Sequence, residues 1–419
     1  MSNRKHLIIG SGPAALSAVE SIRSQNQNDQ IRLISREKTL PYSPAILPYL
    51  LAGRTSESAI WLKNDDYFRS AKVSFVRGKE VTRVIPDKRQ VVYRNGDVDE
   101  YDSLLIASGA EPLTQQVKGL DDGNCQYFRN LDDYHKLNSK LKNGTSVAIL
   151  GAGMIAMELA MALAKRGNNV QIIGRGRPLR ANFDGQAGKY ISDIFISNGV
   201  KISTGKTISE VRKSRDGIEV RCTDSDVFKA DILVSCLGVR PGLSLIEGSG
   251  IAANQGILVD NRMKTNIEGI YAAGDVAEAP DFFHKRADIS AILPSAIAQG
   301  KVAGANMAGG ESSYEGWLSM NQFKFFGNSA CSIGAAVAQD NEGKTLDEHN
   351  DENRYFKRLV IRDDKLIGAM FVNVEIDPGT IRYLIEKGVA ISRYVEQLFE
   401  HPRETSRWLM MENEKRVTV

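Results

Sequence analysis

Two turns in this sequence have the glycine spacing that lets a polypeptide backbone hold a pyrophosphate: Gly10-Ser11-Gly12-Pro13-Ala14-Ala15 and Gly151-Ala152-Gly153-Met154-Ile155-Ala156. In such a turn the first glycine permits a sharp bend and the second lets the backbone approach the phosphates. The small third residue, Ala15 or Ala156, keeps the following helix close to its strand. The helix end then offers free N–H groups and a partial positive charge to the anion. After the first turn, Glu37 stands where a carboxylate reads ribose hydroxyls, with Arg36 as the less apt neighbour. After the second, that position is Gly174, followed by Arg175, Arg177 and Arg180, and arginines beside a missing acid are the pattern for a 2′-phosphate. A third group, Gly274-Asp275, puts a carboxylate directly after a residue without a side chain. It is suited to accept hydrogen bonds from a polyol, and capping of the next helix is the plainer role for such an aspartate.

Cys125, Cys222, Cys236 and Cys331 are scattered without a C-x-x-C, which excludes an evident iron–sulfur or zinc site. The five histidines show no metal spacing, so no metal is expected. His284, shortly after Asp275, reaches a ligand held there only if its loop folds back.

The elements that must position these groups are readable around them. The apolar run His6-Leu7-Ile8-Ile9 enters the first turn, and Leu16, Val19 and Ile22 follow at helical spacing. Ile31-Arg32-Leu33-Ile34-Ser35 makes a second strand. The plan recurs with Val147-Ala148-Ile149-Leu150, a helix to about Arg166, and Asn169-Val170-Gln171-Ile172-Ile173. Each half later has a strand that reads as buried, stopped by glycine and proline: 101–106 running into Ala107-Ser108-Gly109-Ala110-Glu111-Pro112, and 231–237 running into Gly238-Val239-Arg240-Pro241. The segment 39–53 carries Pro41, Pro44 and Pro48 and reads as a crossing followed by a short helix. Asn95-Gly96 signals a hairpin. Residues 295–307 read as a helix with small residues on one face, entered through Pro294. From about 317 the composition shifts. Strands at 356–362 and 366–374 and helices at 378–387 and 390–399 precede a tail bearing Arg403, Arg407 and Trp408.

A chain of 419 residues suggests two to three domains at roughly 100–200 residues each. Fifty-four Lys and Arg against 51 Asp and Glu leave no nucleic-acid footprint. The apolar stretch 146–164 contains a glycine turn and a charge, Glu158, and is read as part of a βα unit, so no membrane span is expected. The first strand begins at once, without room for a signal peptide, and the scattered cysteines suit a reducing, cytoplasmic setting.

Taken together, these motifs resemble the pyridine-nucleotide–disulfide oxidoreductase superfamily. The resemblance implies an α/β fold with two Rossmann-like domains, the second inserted in the first, plus a C-terminal α+β domain. It places an FAD-binding domain at 1–114 and 242–316, an NAD(P)-binding domain at 115–241 and an interface or dimerisation-like domain at 317–419. By it, Gly10, Gly12, Pro13, Ala14, Ala15, Glu37, Ala107, Ser108, Gly109, Gly274, Asp275 and Ala296 would hold FAD. Gly151, Gly153, Met154, Ile155, Ala156, Glu158, Arg175 and Gly238 would hold the nicotinamide dinucleotide, with Glu158 positioning the nicotinamide. The disulfide reductases carry redox cysteines in the region that here runs from 41 to 53 without one. The chain therefore resembles the ferredoxin- and rubredoxin-reductase branch, and the flavin modules of nitrite, aldehyde and 2-oxoacid oxidoreductases. That implies hydride exchange between a nicotinamide and flavin N5, and electron exchange with an iron–sulfur protein or catalytic partner subunits, in a homo- or hetero-oligomer. An NADH sensor acting through association state and an NADH oxidase using O2 are the alternatives. The resemblance implies NAD, the arginines imply NADP, and both stay open.

Overall fold

The structure is a computed structural model and describes residues 3–115, 117–120, 123–215, 217–337 and 343–417. The chain forms two compact units, Met1–Leu113 with Val239–Trp317, and Thr114–Gly238 with Leu318–Val419.

The first unit is built on β1 (Lys5–Ile9), α1 (Pro13–Gln25) and β2 (Gln30–Ser35). They belong to a five-stranded parallel sheet ordered Ile270–Ala272, Ser103–Ile106, β1, β2, Val73–Arg77. Ser103–Ile106 is buried along its whole length, as a central parallel strand covered on both faces must be. The register sets Ile8 beside both Leu33 and Leu105. One polar series runs through this core. His6 Nδ1 lies 2.6 Å from Ser103 Oγ and Nε2 lies 2.9 Å from Asp29 Oδ2. Burial holds the imidazole below its ordinary pKa. The order is that of a nucleophilic triad, but His6, Asp29 and Ser103 are all buried, so the series ties neighbouring segments together and has no access to a substrate.

The helix Leu293–Met307 lies against α1 at backbone distance. A Cβ on Gly300 would stand 2.1 Å from the Ala14 carbonyl oxygen, and one on Gly304 would stand 2.4 Å from that of Ala18. The small face seen in the sequence is therefore the contact face. The helix begins one residue before Pro294. The Asn95-Gly96 hairpin joins Gln90–Tyr93 to Val98–Glu100.

In the second unit, β3 (Ser146–Leu150), α2 (Met154–Lys165) and β4 (Asn169–Ile173) repeat the plan. Their parallel sheet is ordered Lys201–Ser203, β4, β3, Ile232–Ser235, Gln126–Tyr127. Because the first unit's chain leaves after Leu113 and resumes at Val239, this second Rossmann sheet is an insertion, the expected α/β arrangement. The same unit holds a five-stranded antiparallel sheet ordered Met320–Phe325, Asn328–Gly334, Lys365–Val372, Tyr355–Arg362, Lys344–Asn350. Helix Gly185–Ser197 packs on it through Phe195, stacked on Phe325 at 5.5 Å. Its capping Asp184 also binds Arg358 at 2.7 Å. Arg403, Arg407 and Trp408 lie on a helix, Pro402–Val417, and the expected 390–399 helix is shortened to Val395–Glu400 after a single 3-10 turn. Arg407 pairs with Asp377, the N-cap of helix Pro378–Glu386, which fastens the terminal helix to its neighbour.

Candidate dinucleotide sites

Gly10 has φ +107, and a Cβ there would stand 2.1 Å from the Ala107 carbonyl oxygen at the end of the adjacent strand. Its N–H bonds to Ile34 O at 2.8 Å, so the turn is clamped between two strands and only glycine fits. Gly12 is different in kind. It has ordinary dihedrals and nothing within 4 Å of a Cβ position, so the space before it is open. Gly12 caps α1 without a side-chain bond and Pro13 fills the first turn, leaving the N–H groups of Ala14 and Ala15 as the orphan donors. Gly274, at φ +80, brings the Asp275 segment onto the same spot, for a Cβ there would meet Ala14 Cβ at 3.2 Å and Ala296 Cβ at 3.8 Å. Ala14, Asp275 and Ala296 are thus neighbours although far apart in sequence. Glu37 accepts a hydrogen bond from Tyr42 Oη at 2.7 Å, while Arg36 turns to Glu111 at 3.1 Å, which leaves Glu37 as the residue held at the strand end. Ala110–Pro112, after Ser108 and Gly109, pairs antiparallel with Val239–Pro241, a pairing no local pattern announced.

Sequence reasoning missed Gln299. It is fully buried on Leu293–Met307, its Oε1 accepts from Gly274 N at 2.8 Å, and its Nε2 has no partner. Ser108 Oγ is likewise buried and unpaired. The signal lay in the small face of that helix, where a lone glutamine stands out. His284 is exposed on a tight turn whose N–H groups Asp281 accepts, with the imidazole 3.6 Å from that carboxylate.

The second turn copies the first. Gly151 has φ +102, a Cβ on it would stand 2.3 Å from Cys236 O, and its N–H bonds to Ile173 O at 2.8 Å. Gly153 faces open space and caps α2 without a side chain, with Met154 and Ile155 opening the helix and Ala156 buried behind them. Gly238 has φ +114. One turn into α2, Glu158 is 8% exposed, and burial alone raises its pKa to about 7. At the end of β4, Arg175 and Arg180 are exposed and Arg177 is half-buried.

Side-chain caps divide the longer helices into two groups, and the short helices Leu47–Leu51 and Val395–Glu400 also lack one. The helices that begin at Leu131, Gly185 and Pro378 have their first N–H groups satisfied by Asn130, Asp184 and Asp377 side chains. By contrast, α1, α2 and Leu293–Met307 have no such bond. Uncapped donors in front of open glycines are the arrangement that receives a phosphate. The first turn adds two carboxylates, Glu37 and Asp275, and two orphaned polar groups, Ser108 Oγ and Gln299 Nε2. That donor and acceptor set fits a dinucleotide carrying a polyol, as FAD does.

Residues 4–300 match the family described as pyridine nucleotide-disulphide oxidoreductase. The chain belongs to that family. Residues 320–389 of this oxidoreductase match the C-terminal domain of rubredoxin NAD+ reductase. It is 32% identical over 414 residues to the NADH-dependent phenylglyoxylate dehydrogenase subunit epsilon of Aromatoleum evansii, covering 98% of each chain. It is 28% identical over 397 residues to the NADH-rubredoxin oxidoreductase of Clostridium acetobutylicum, covering 94% of this chain and 95% of that one. Its fold is that of the reductase in the covalent putidaredoxin reductase–putidaredoxin complex, with a TM-score of 0.85 at 21% identity over 93% of this chain and 94% of that one. Members of the family bind FAD and a nicotinamide dinucleotide, and this one is a flavin-dependent NAD(P)H oxidoreductase of the ferredoxin-reductase-like branch.

The family's name refers to a disulfide, and the segment 41–53 of this oxidoreductase contains no cysteine. Cys222, Cys236 and Cys331 form no disulfide, and burial raises their thiols, the last two to about 12. Among the described residues no cluster of His, Cys, Asp or Glu could hold a metal, and no helix is long and apolar enough to cross a membrane.

Proposed function

We propose that this oxidoreductase takes reducing equivalents from NAD(P)H and hands them to a separate iron–sulfur or rubredoxin-type protein, or to catalytic subunits with which it assembles. The observation that carries this is the pair of glycine turns open to phosphate in a chain with no cysteine between 41 and 53. FAD, when bound, supplies a centre that accepts two electrons at once and releases them singly. The chain's own residues do the positioning. The Ala14 and Ala15 N–H groups bind the FAD pyrophosphate in front of Gly12, Glu37 orients a ribose, and Asp275 orients the ribityl hydroxyls. Ala296, in the uncapped first turn of its helix, presents the positive end of that helix to the far end of the flavin. The second turn binds the nicotinamide dinucleotide through Gly151, Gly153, Met154, Ile155 and Ala156, flanked by Arg175 and Gly238, and Glu158 positions the nicotinamide. In this reading 1–114 with 242–316 carries FAD, 115–241 carries the nucleotide, and 317–419 forms the surface toward partners. Two relatives support the choice of acceptor, one named for rubredoxin and one named as a dehydrogenase subunit. Cys222, Cys236 and Cys331, outside any disulfide, suit a reducing compartment such as the cytoplasm.

Anaerobic mixing of the FAD-loaded chain with reduced nicotinamide nucleotides tests this. Rapid bleaching of the flavin, followed by reduction of rubredoxin or ferredoxin, is expected. Bleaching that only O2 reverses makes the chain an oxidase, and slow bleaching with a change of association state makes it a sensor. Either result overturns the proposal.

A further inference from the structure

The loop after β4 carries three arginines, and the fold consumes only one. Arg177 Nη2 donates to Phe183 O at 2.6 Å, and its Nη1 fills the space where a Gly188 Cβ would stand, 2.6 Å away. Arg175 and Arg180 are exposed, and neither has a carboxylate partner among the described residues. The loop that bears them is pinned to the second glycine turn. Leu179, at φ +56, donates its N–H to Ala152 O at 2.8 Å. Arg180 folds back over the strand end, with Nη1 3.4 Å from the Cβ position of Gly176.

The acids that could neutralise this corner are occupied. Asp184 caps its helix and binds Arg358. Asp224 and Asp226 both hold Lys206, whose backbone N–H bonds to Gly174 O at 3.1 Å. The position that reads a ribose diol is glycine, and a side chain there would be tight, with its Cβ 3.1 Å from Ala152 Cβ. A 2′-hydroxyl finds no carboxylate at Gly174, whereas a 2′-phosphate, carrying more than one negative charge, finds two guanidinium groups with unused donors.

We propose that Arg175 and Arg180 form a clamp for the 2′-phosphate of NADPH, and that this oxidoreductase binds NADPH in preference to NADH. The inference rests on the reading of the second turn as the nicotinamide dinucleotide site.

Calorimetric titration of the full chain with 2′,5′-ADP, 3′,5′-ADP and 5′-AMP tests the clamp without involving the flavin. We expect 2′,5′-ADP to bind about tenfold or more tightly than 5′-AMP, as a pair of charge-assisted contacts allows. That advantage should shrink with added salt and vanish in the Arg175→Ala, Arg180→Ala double variant, whose melting temperature should match the parent. Equal binding of 2′,5′-ADP and 5′-AMP overturns the proposal, as does equally tight 3′,5′-ADP, which marks indiscriminate anion attraction. Flavin reduction separates the two layers of argument. Reduction by NADH alone defeats the clamp and leaves the assignment of the second turn standing, while binding of none of the three adenylates and reduction by neither nucleotide defeats the assignment itself.

Discussion

The turns at Gly10 and Gly151 are the same object twice, but what stands around them differs. Behind α1 lies the backbone of Leu293–Met307, so close that Gly300 and Gly304 have no room for a side chain. Strand Met320–Phe325 passes beside α2. The first strand end is closed by a carboxylate held by Tyr42, the second by a glycine and two unpaired arginines. The first site gathers residues from distant parts of its unit around one spot, whereas the second draws mainly on the βαβ segment itself. A site assembled that way suits a cofactor retained for the life of the protein. A site with fewer outside supports suits a ligand that must leave after each turnover.

The sharpest way to break this contrast is to add one methyl group at the clamped glycine of each turn. Gly10→Ala and Gly151→Ala each force a Cβ at positive φ into a carbonyl oxygen and should each cost on the order of 4 kcal/mol. Their readouts should part: the first variant purifies without flavin colour, and the second, where it folds, is yellow but is not reduced by either nucleotide. Gly300→Ala should come next, at about 3 kcal/mol with weakened flavin retention, because the helix must move off Ala14. Equal flavin content in Gly300→Ala and the parent would show that the backbone contact does not serve the first site.

Glu158 gives a pH-dependent test confined to the second turn. Its folded pKa of about 7 lies above the ordinary value of 4.5, so the fold disfavours the charged form. The penalty is absent below about pH 4.5, grows through the window up to 7 and is complete above it. Glu158→Gln should therefore gain on the order of 2 kcal/mol over the parent at pH 8 and almost nothing at pH 4.5, measured by denaturant unfolding of the nucleotide-free protein. A constant difference across that range would mean that Glu158 acts through shape alone. The smallest effect on stability belongs to Gly12→Ala and Gly153→Ala, where the added Cβ meets open space. Melting should stay within about 0.5 kcal/mol of the parent, while affinity for FAD in the first variant and for nucleotide in the second falls.

Much of this molecule is local and therefore legible in the chain: both glycine turns, the strand–helix–strand order, the absence of a thiol between 41 and 53, and the missing acid at Gly174 all follow from residues near one another in sequence. Periodicity and backbone sterics act over a few residues, so those readings needed no fold. Tertiary structure alone decided three things. It set Gln299 against Gly274, it paired Ala110–Pro112 with Val239–Pro241, and it chose which of the three arginines to spend on its own loop. Each depends on where a distant backbone passes, and no pattern of side chains along the chain encodes that distance.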